Sequence, residues 1–395
     1  MKRVFAVMFS VLLAVSLFYS AAIAGSTVAV VKYQGDWKTI GEAYEFDWTF
    51  LSHYDFDKDN KEALKFVRAS WTQESATEIE GMVREAIKLT GNDWPVKRGD
   101  TVLLKPNLVS DWWHFLTTGR TKKELVQAQV TDIRVVRGVA IMALESGASK
   151  VLFAESPAHG EAYASMVCYG YENLVNELNQ KYGAGKTELI DVTKLSYSYY
   201  KPTRTGGLAL KEYAITDLFV DPKVKVISVS ALKTHCMAGV TLNMKNIGIG
   251  GPTVKEYGSP KLGLPHGKLG EVIVDVVDII KPKYAVTSGI WGMEGFGPEA
   301  GEPVPMGMVF AGKDLVAVDY VVTEIIGFKG DGILSTVLGQ KYGIGSYKDV
   351  KVVGRPIAEV RTIFQPVPRG SRTPFAWSHN VLEGYTPPIP EGWHY

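Results

Sequence analysis

Lys233-Thr234-His235, followed by Thr241 and then Lys245-Asn246, is the densest run of polar side chains in an otherwise apolar stretch. Two ammonium groups with an imidazole, hydroxyls and an amide form a set that can hold a carboxylate, phosphate or sulfonate. Lysine donates charge-assisted hydrogen bonds, and imidazole changes protonation state near neutral pH. The competing reading is a solvated helix start with Lys245 lying along the surface. Other chemistry-bearing residues are dispersed: Lys105-Pro106-Asn107, Glu155, His266, Glu294 and Asp314. Were the fold to bring His266 beside His235, Glu155 or Asp314, the imidazoles and carboxylates would suffice for proton transfer or for a divalent metal held by His235 and His266. Glu294, in a glycine-rich loop, reads equally as a site carboxylate or a solvated residue. Asp314 reads equally as a helix N-cap, because Leu315 opens an apolar helix.

The elements that must position these groups follow from periodicity. Short apolar runs at 101–104, 150–154, 224–229, 284–287 and 308–311 predict strands of the core, and 350–353 an edge strand. Stripes of 3.6-residue period predict helices over 75–90, 132–146, 171–182, 269–280 and 315–326. Apolar strands alternating with helices imply an α/β fold, a mostly parallel sheet with helices on both faces. In such sheets ligands bind beyond the carboxyl ends of the strands. Five strand ends would then deliver Lys105, Asn107, Glu155, Lys233, His235, Ser288 and Asp314 to one rim. Gly248-Ile249-Gly250-Gly251-Pro252 reads as a flexible turn. Asp319, inside an apolar helix, is either buried with a partner or on the solvent edge.

Composition removes several classes. The 395 residues carry a formal net charge of +1 and are 46% hydrophobic, which excludes disorder and gives no electrostatic case for nucleic acid. Met1-Lys2-Arg3, an apolar run to Phe18 and Ala22-Ile23-Ala24 before Gly25 have the layout of a secretory signal peptide over residues 1–24. The expected mature chain is extracytoplasmic, periplasmic or secreted, with no transmembrane span after cleavage. Cys168 and Cys236 are the only cysteines, and their pairing is left open. There is no iron–sulfur cysteine motif and no nucleotide-binding glycine motif. The expected organisation is an irregular aromatic segment with a first helix over 25–98, an α/β domain over 99–356, and an aromatic, proline-rich C-terminal tail over 357–395.

Lys105-Pro106-Asn107, Glu155, Lys233-Thr234-His235, Thr241 with Lys245-Asn246, His266, Gly292-Met293-Glu294-Gly295 with Gly297-Pro298, and Asp314 with Asp319 together resemble the uncharacterised family called domain of unknown function 362. The resemblance runs from about 102 to 327. It differs from many relatives in lacking a ferredoxin-like cysteine segment, so it does not imply electron transfer. Ser288 stands where the family pattern usually has Asp before a glycine-rich loop, which weakens a metal site that relies on that carboxylate. The family is distantly similar in fold to the nickel-pincer lactate racemases, and that analogy favours a small organic acid or metal cofactor at the rim.

The expectation is therefore an enzyme acting on a small anionic molecule. Lys105, Asn107, Lys233, Thr234, Thr241, Lys245, Asn246 and Asp314 would bind the ligand, and His235, His266, Glu155 and Glu294 would do the chemistry. The alternatives are an extracytoplasmic ligand- or metal-binding protein without turnover, and a surface-assembly protein whose aromatic tail makes the contacts.

Overall fold

The structure, a computed structural model, describes residues 25–42, 44–46, 69–109, 122–157 and 162–367. The expected signal peptide (residues 1–24) and nearly all of the expected aromatic tail lie outside the described residues.

The first strands are β1 (Thr27–Lys32), β2 (Tyr44–Phe46), β3 (Ala69–Trp71), β4 (Thr101–Lys105), β5 (Lys150–Glu155) and β6 (Thr187–Asp191). Then come β7 (Tyr197–Tyr200), β8 (Tyr213–Thr216), β9 (Val224–His235), β10 (Gly239–Thr241), β11 (Tyr284–Glu294), β12 (Glu302–Gly312) and β13 (Lys351–Gly354). One sheet has the order β13-β1-β12-β11-β9-β4-β5-β6, with β10 pairing β9, while β2–β3 and β7–β8 form small ribbons.

The expected α/β class is what the structure shows: β6, β5, β4, β9 and β11 run parallel, with helices on both faces. Successive side chains of a strand point to opposite faces, and the core divides accordingly. Val102, Leu104, Ile227 and Val229 pack under helices Gln73–Leu89, Ile133–Glu145 and Tyr171–Tyr182. Leu103 and Val226 pack under helices Asn243–Gly250, Leu269–Ile280 and Leu315–Ile325. Both layers bury nearly continuous Val, Ile and Leu, as a doubly covered sheet requires.

Two expectations are corrected. Residues 25–98 are not a segment apart from the sheet, because β1 inserts between β12 and β13. Its alternating Val28/Val30 and Ala29/Val31 serve the two core layers. The second correction concerns direction. β12 runs antiparallel to β11, pairing Gly312 with Ala285 at the start of that strand. Asp314 therefore emerges at the amino-terminal edge of the parallel strands, opposite the rim expected for it.

The chain lays β4, β5 and β6 outward in one direction, then returns to place β9 on the other side of β4. The order reverses between β4 and β9. A crevice opens there because the two flanking connections leave in opposite directions.

Candidate functional site

At that reversal lies a cavity of about 270 Å³ lined by groups from β4, β5, β9, β10 and two helices, among them Lys105, Glu155, Lys233, His235, Lys245 and His266. Asn107, Thr241 and Asn246 line it too. Nine of the expected site residues, separated by up to 161 positions in sequence, meet in one space (Lys105 to His266).

The deepest layer is an ion pair. Lys105 is 1% exposed, and its Nζ donates to Glu155 Oε1 (2.6 Å), Pro106 O (2.8 Å) and Asn246 Oδ1 (2.9 Å). Three protons meet three acceptors. Burial pulls the Lys105 ammonium below its ordinary pKa and Glu155 pulls it back up; the complete acceptor set keeps the charge in place. Glu155 also accepts the backbone N–H of Ser156 (2.7 Å) and Leu108 (2.8 Å). Asn246 accepts from Lys105 and Asn107, and donates to Lys105 O (2.9 Å) and Ser228 Oγ (3.1 Å). These groups are committed to one another, so Lys105, Glu155 and Asn246 form the frame of the cavity.

The helix that carries Lys245 and Asn246 explains the glycines. Gly248 and Gly250 lie within helix Asn243–Gly250, so this segment is not the expected flexible turn. A methyl on Gly250 would collide with Cε of Lys105, and one on Gly248 with the backbone of Ile273. Glycine is present because the Lys105 side chain at one position and the Ile273 backbone at the other approach the helix closely. In an ordinary helix interior, Gly→Ala stabilises by up to about 1 kcal/mol. Here Gly250→Ala is expected to destabilise by about 1–3 kcal/mol through overpacking, read from the urea midpoint. A stabilised variant would show that Lys105 moves aside freely. Asp319 anchors the same helix: buried, it accepts the N–H of Asn243 (2.9 Å) and Met244 (2.8 Å). Of its two readings, the partnered one holds.

Strand alternation sorts the Lys-Thr-His triplet. Lys233 and His235 share the face toward the cavity, while Thr234 points away and donates to Gly295 O (2.9 Å) and Met293 O (3.3 Å). Thr234 is thus a clamp on β11, not a ligand group. β10 folds back antiparallel, setting Thr241 directly across from Lys233. The Thr241 hydroxyl is buried without a hydrogen-bond partner, as is that of Ser156, which also lines the cavity.

The two imidazoles have opposite roles. His235 Nδ1 accepts the backbone N–H of Met237 (3.0 Å) and Ala238 (3.1 Å). That fixes the ring proton on Nε2 and makes the ring a fixed donor. Burial, then the charges of Lys245, Lys233 and His266, hold its pKa well below the ordinary value. His266 Nδ1 lies 2.8 Å from Leu264 O, which can only accept, so the lone pair remains on Nε2. One ring offers a proton and the other can take one. A single metal ion on both would need a lone pair on each Nε2, and His235 has none to give. Among the described residues no three His, Cys, Asp or Glu are grouped for a metal. The expected His235–His266 metal pair does not fit this geometry.

Glu294 and Asp314 are elsewhere. Glu294 accepts Gln365 N–H (2.8 Å) and so holds extended chain against the end of β11; burial, then Glu302, raises its pKa. Asp314 caps helix Leu315–Ile325 through Val316 N–H (2.9 Å) and Ala317 N–H (3.2 Å), and accepts from Ser26 Oγ (2.8 Å) and Ser346 N–H (2.7 Å). Ser288 is buried within β11 and accepts the Asp132 N–H (3.3 Å).

Sequence reasoning missed Lys261, Cys236 and Glu299. Lys261 stands in a Gly-Ser-Pro loop that reads as solvated, yet it is 1% exposed and donates to Ile249 O (2.6 Å) and Ser156 O (3.4 Å). No sequence signal marks it. Cys236 and Glu299 line the cavity, and Cys168 and Cys236 are both buried and not joined by a disulfide.

Fold and cavity define the class: an α/β protein with a lysine-rich cleft at the switch point of a mostly parallel sheet. The chain belongs to the family described as domain of unknown function 362, whose model matches residues 102–324. All the cavity-lining residues fall within that span. A thylakoid-associated protein of Synechocystis sp. is 30% identical over 232 residues, covering 58% of this chain and 64% of that relative. The match thus spans less than two thirds of the relative's own length. A crystal structure of a Thermotoga maritima protein aligns with a TM-score of 0.30 and 12% identity, over 62% of this chain and 56% of that one. Among the described residues no helix is long and apolar enough to cross a membrane.

Proposed function

We propose that this protein is an extracytoplasmic enzyme that takes a small organic anion into the cavity between β4 and β9. The observation that carries the reading is Lys245. Among the described residues its ammonium has no hydrogen-bond partner, and it faces the same space as the orphan hydroxyls of Thr241 and Ser156. Buried polar groups are ordinarily satisfied, so two buried hydroxyls that are not, beside a half-buried ammonium lining the same cavity, describe the outline of a missing acceptor. Anion recognition then falls to Lys245, Thr241, Ser156 and the Nε2–H of His235. His266 Nε2 is the proton acceptor. Lys105, Glu155 and Asn246 hold the walls, and Asn107 positions Lys233. The basic start, apolar run and Ala-Ile-Ala site of the sequence support the extracytoplasmic placement.

Burial, with Lys105 acting in the same direction, brings Lys245 down to about 8. An anion that needs this ammonium should bind more weakly as pH rises through that value. Lys245→Met is expected to lower affinity for oxamate or phosphate by about tenfold to a hundredfold, the range of a charge-assisted hydrogen bond, and to flatten the pH profile. Isothermal titration between pH 6.5 and 9 measures both. If a panel of carboxylates, phosphates and sulfonates binds no better to the parent than to Lys245→Met, the reading fails.

A further inference from the structure

Lys233 differs from its neighbours in how its protons are used. It is 0% exposed and lines the cavity. Its Nζ donates to Asn107 Oδ1 (2.8 Å) and Gln129 O (2.6 Å), and among the described residues it makes no ion pair with a carboxylate. Lys105 has three acceptors including a carboxylate; Lys233 has two, both neutral. A buried ammonium in that setting lacks compensation and a third acceptor, whereas a neutral amine is satisfied: two N–H bonds, two acceptors, and a lone pair in the remaining direction. Burial, with Lys245 adding like-charge repulsion, lowers its pKa well below the ordinary lysine value, while Glu299 and Glu155 oppose this and Lys105 reinforces it.

We infer that Lys233 is an amine nucleophile that condenses with the carbonyl carbon of a small 2-oxo acid whose carboxylate sits at Lys245 and Thr241. This rests on the small-anion reading and names its substrate class. The register supports the choice, because Thr241 lies directly across from Lys233. A carboxylate at the Thr241 hydroxyl therefore sets the adjacent carbon beside the amine. The volume of about 270 Å³ suits a ligand of few heavy atoms.

The step balances. The Nζ lone pair forms the N–C bond while the carbonyl π pair moves to oxygen. That oxygen takes one proton from Nζ, which His266 Nε2 can accept and pass on, and a second from solvent; the C–O bond breaks and water leaves. The product is an iminium that keeps one N–H for Asn107 Oδ1. His235 Nε2–H is the donor available to the developing oxyanion.

The test uses the whole protein with pyruvate or glyoxylate and sodium cyanoborohydride, followed by peptide mass mapping. Reductive trapping is expected at Lys233, at least about tenfold faster than at exposed lysines because more of the amine is neutral, and slowed by oxamate. Lys233→Met should abolish that adduct; the labelling site in the parent decides the question should the variant not fold. Labelling only at Lys245 or at surface lysines, or no Lys233 adduct from either carbonyl probe, overturns the inference. Oxamate binding in the same preparation then tells the two readings apart. If oxamate still binds, the anion site stands without the nucleophile; if it does not, both fall.

Discussion

Glu155→Ala is expected to lower stability by about 3–5 kcal/mol, because it leaves the Lys105 ammonium buried without its counter-charge. Three donors lose their acceptor at once: Lys105 Nζ (2.6 Å), Ser156 N–H (2.7 Å) and Leu108 N–H (2.8 Å). Two are backbone groups that cannot turn away, and both flank strand ends that shape the cavity. Water entering the vacated space would recover only part of the loss, since Lys105 and Glu155 are each 1% exposed. Glu155→Gln should cost less, because an amide oxygen still accepts from one donor.

The same geometry makes a sharper claim. Replacing both charges, Lys105→Met with Glu155→Leu, should recover a large part of the single-variant loss, because a buried pair replaced by apolar groups of like volume is often close to neutral. Urea midpoints at unchanged slope report both quantities. A Glu155→Ala protein within about 1 kcal/mol of the parent would show that Lys105 sheds its proton instead of remaining an uncompensated charge.

What the sequence reveals of this arrangement depends on which physical signals are local. Apolar runs announce strands, and the residue after a parallel strand is bound to the ligand rim, so Lys105, Glu155, Lys233 and His235 are legible before any coordinates. Strand direction is not local. Met308-Val309-Phe310-Ala311 reads the same in either sense, and only pairing with β11 places Asp314 at the far edge. Gly248 and Gly250 show the same limit, since propensity marks a turn where packing against Lys105 and Ile273 requires a helix. The opposite tautomers of His235 and His266 are set by backbone groups two and three residues away, which composition and spacing do not encode. Lys261 is the least legible: a lysine in a Gly/Pro loop gives no hint that its amine is folded inward.

That inward amine gives the second large effect, an unusual dependence of stability on pH. Burial brings Lys261 down to about 7 and Lys245 to about 8, and Lys233 lies well below its ordinary value. In the unfolded chain all three return to about 10.4. Below pH 7 Lys261 is protonated in both states and contributes no slope. Between pH 7 and 10 the unfolded chain holds protons that the native state has released, so the native state gains on its competitor as pH rises. Each lysine inside its window adds up to about 1.4 kcal/mol per pH unit. Buried Tyr213 and Tyr284 act in the opposite sense above about pH 10, because burial raises both phenols and ionisation then favours the unfolded chain. Maximum stability is therefore expected near pH 9–10, above the usual range of about 5–8. Urea midpoints taken from pH 6.5 to 9.5 should climb, and Lys261→Met should remove roughly one lysine's share of the slope. A midpoint that is level or falling from pH 7 to 9 would mean that Ile249 O and Ser156 O are enough to keep the Lys261 amine charged in the folded protein.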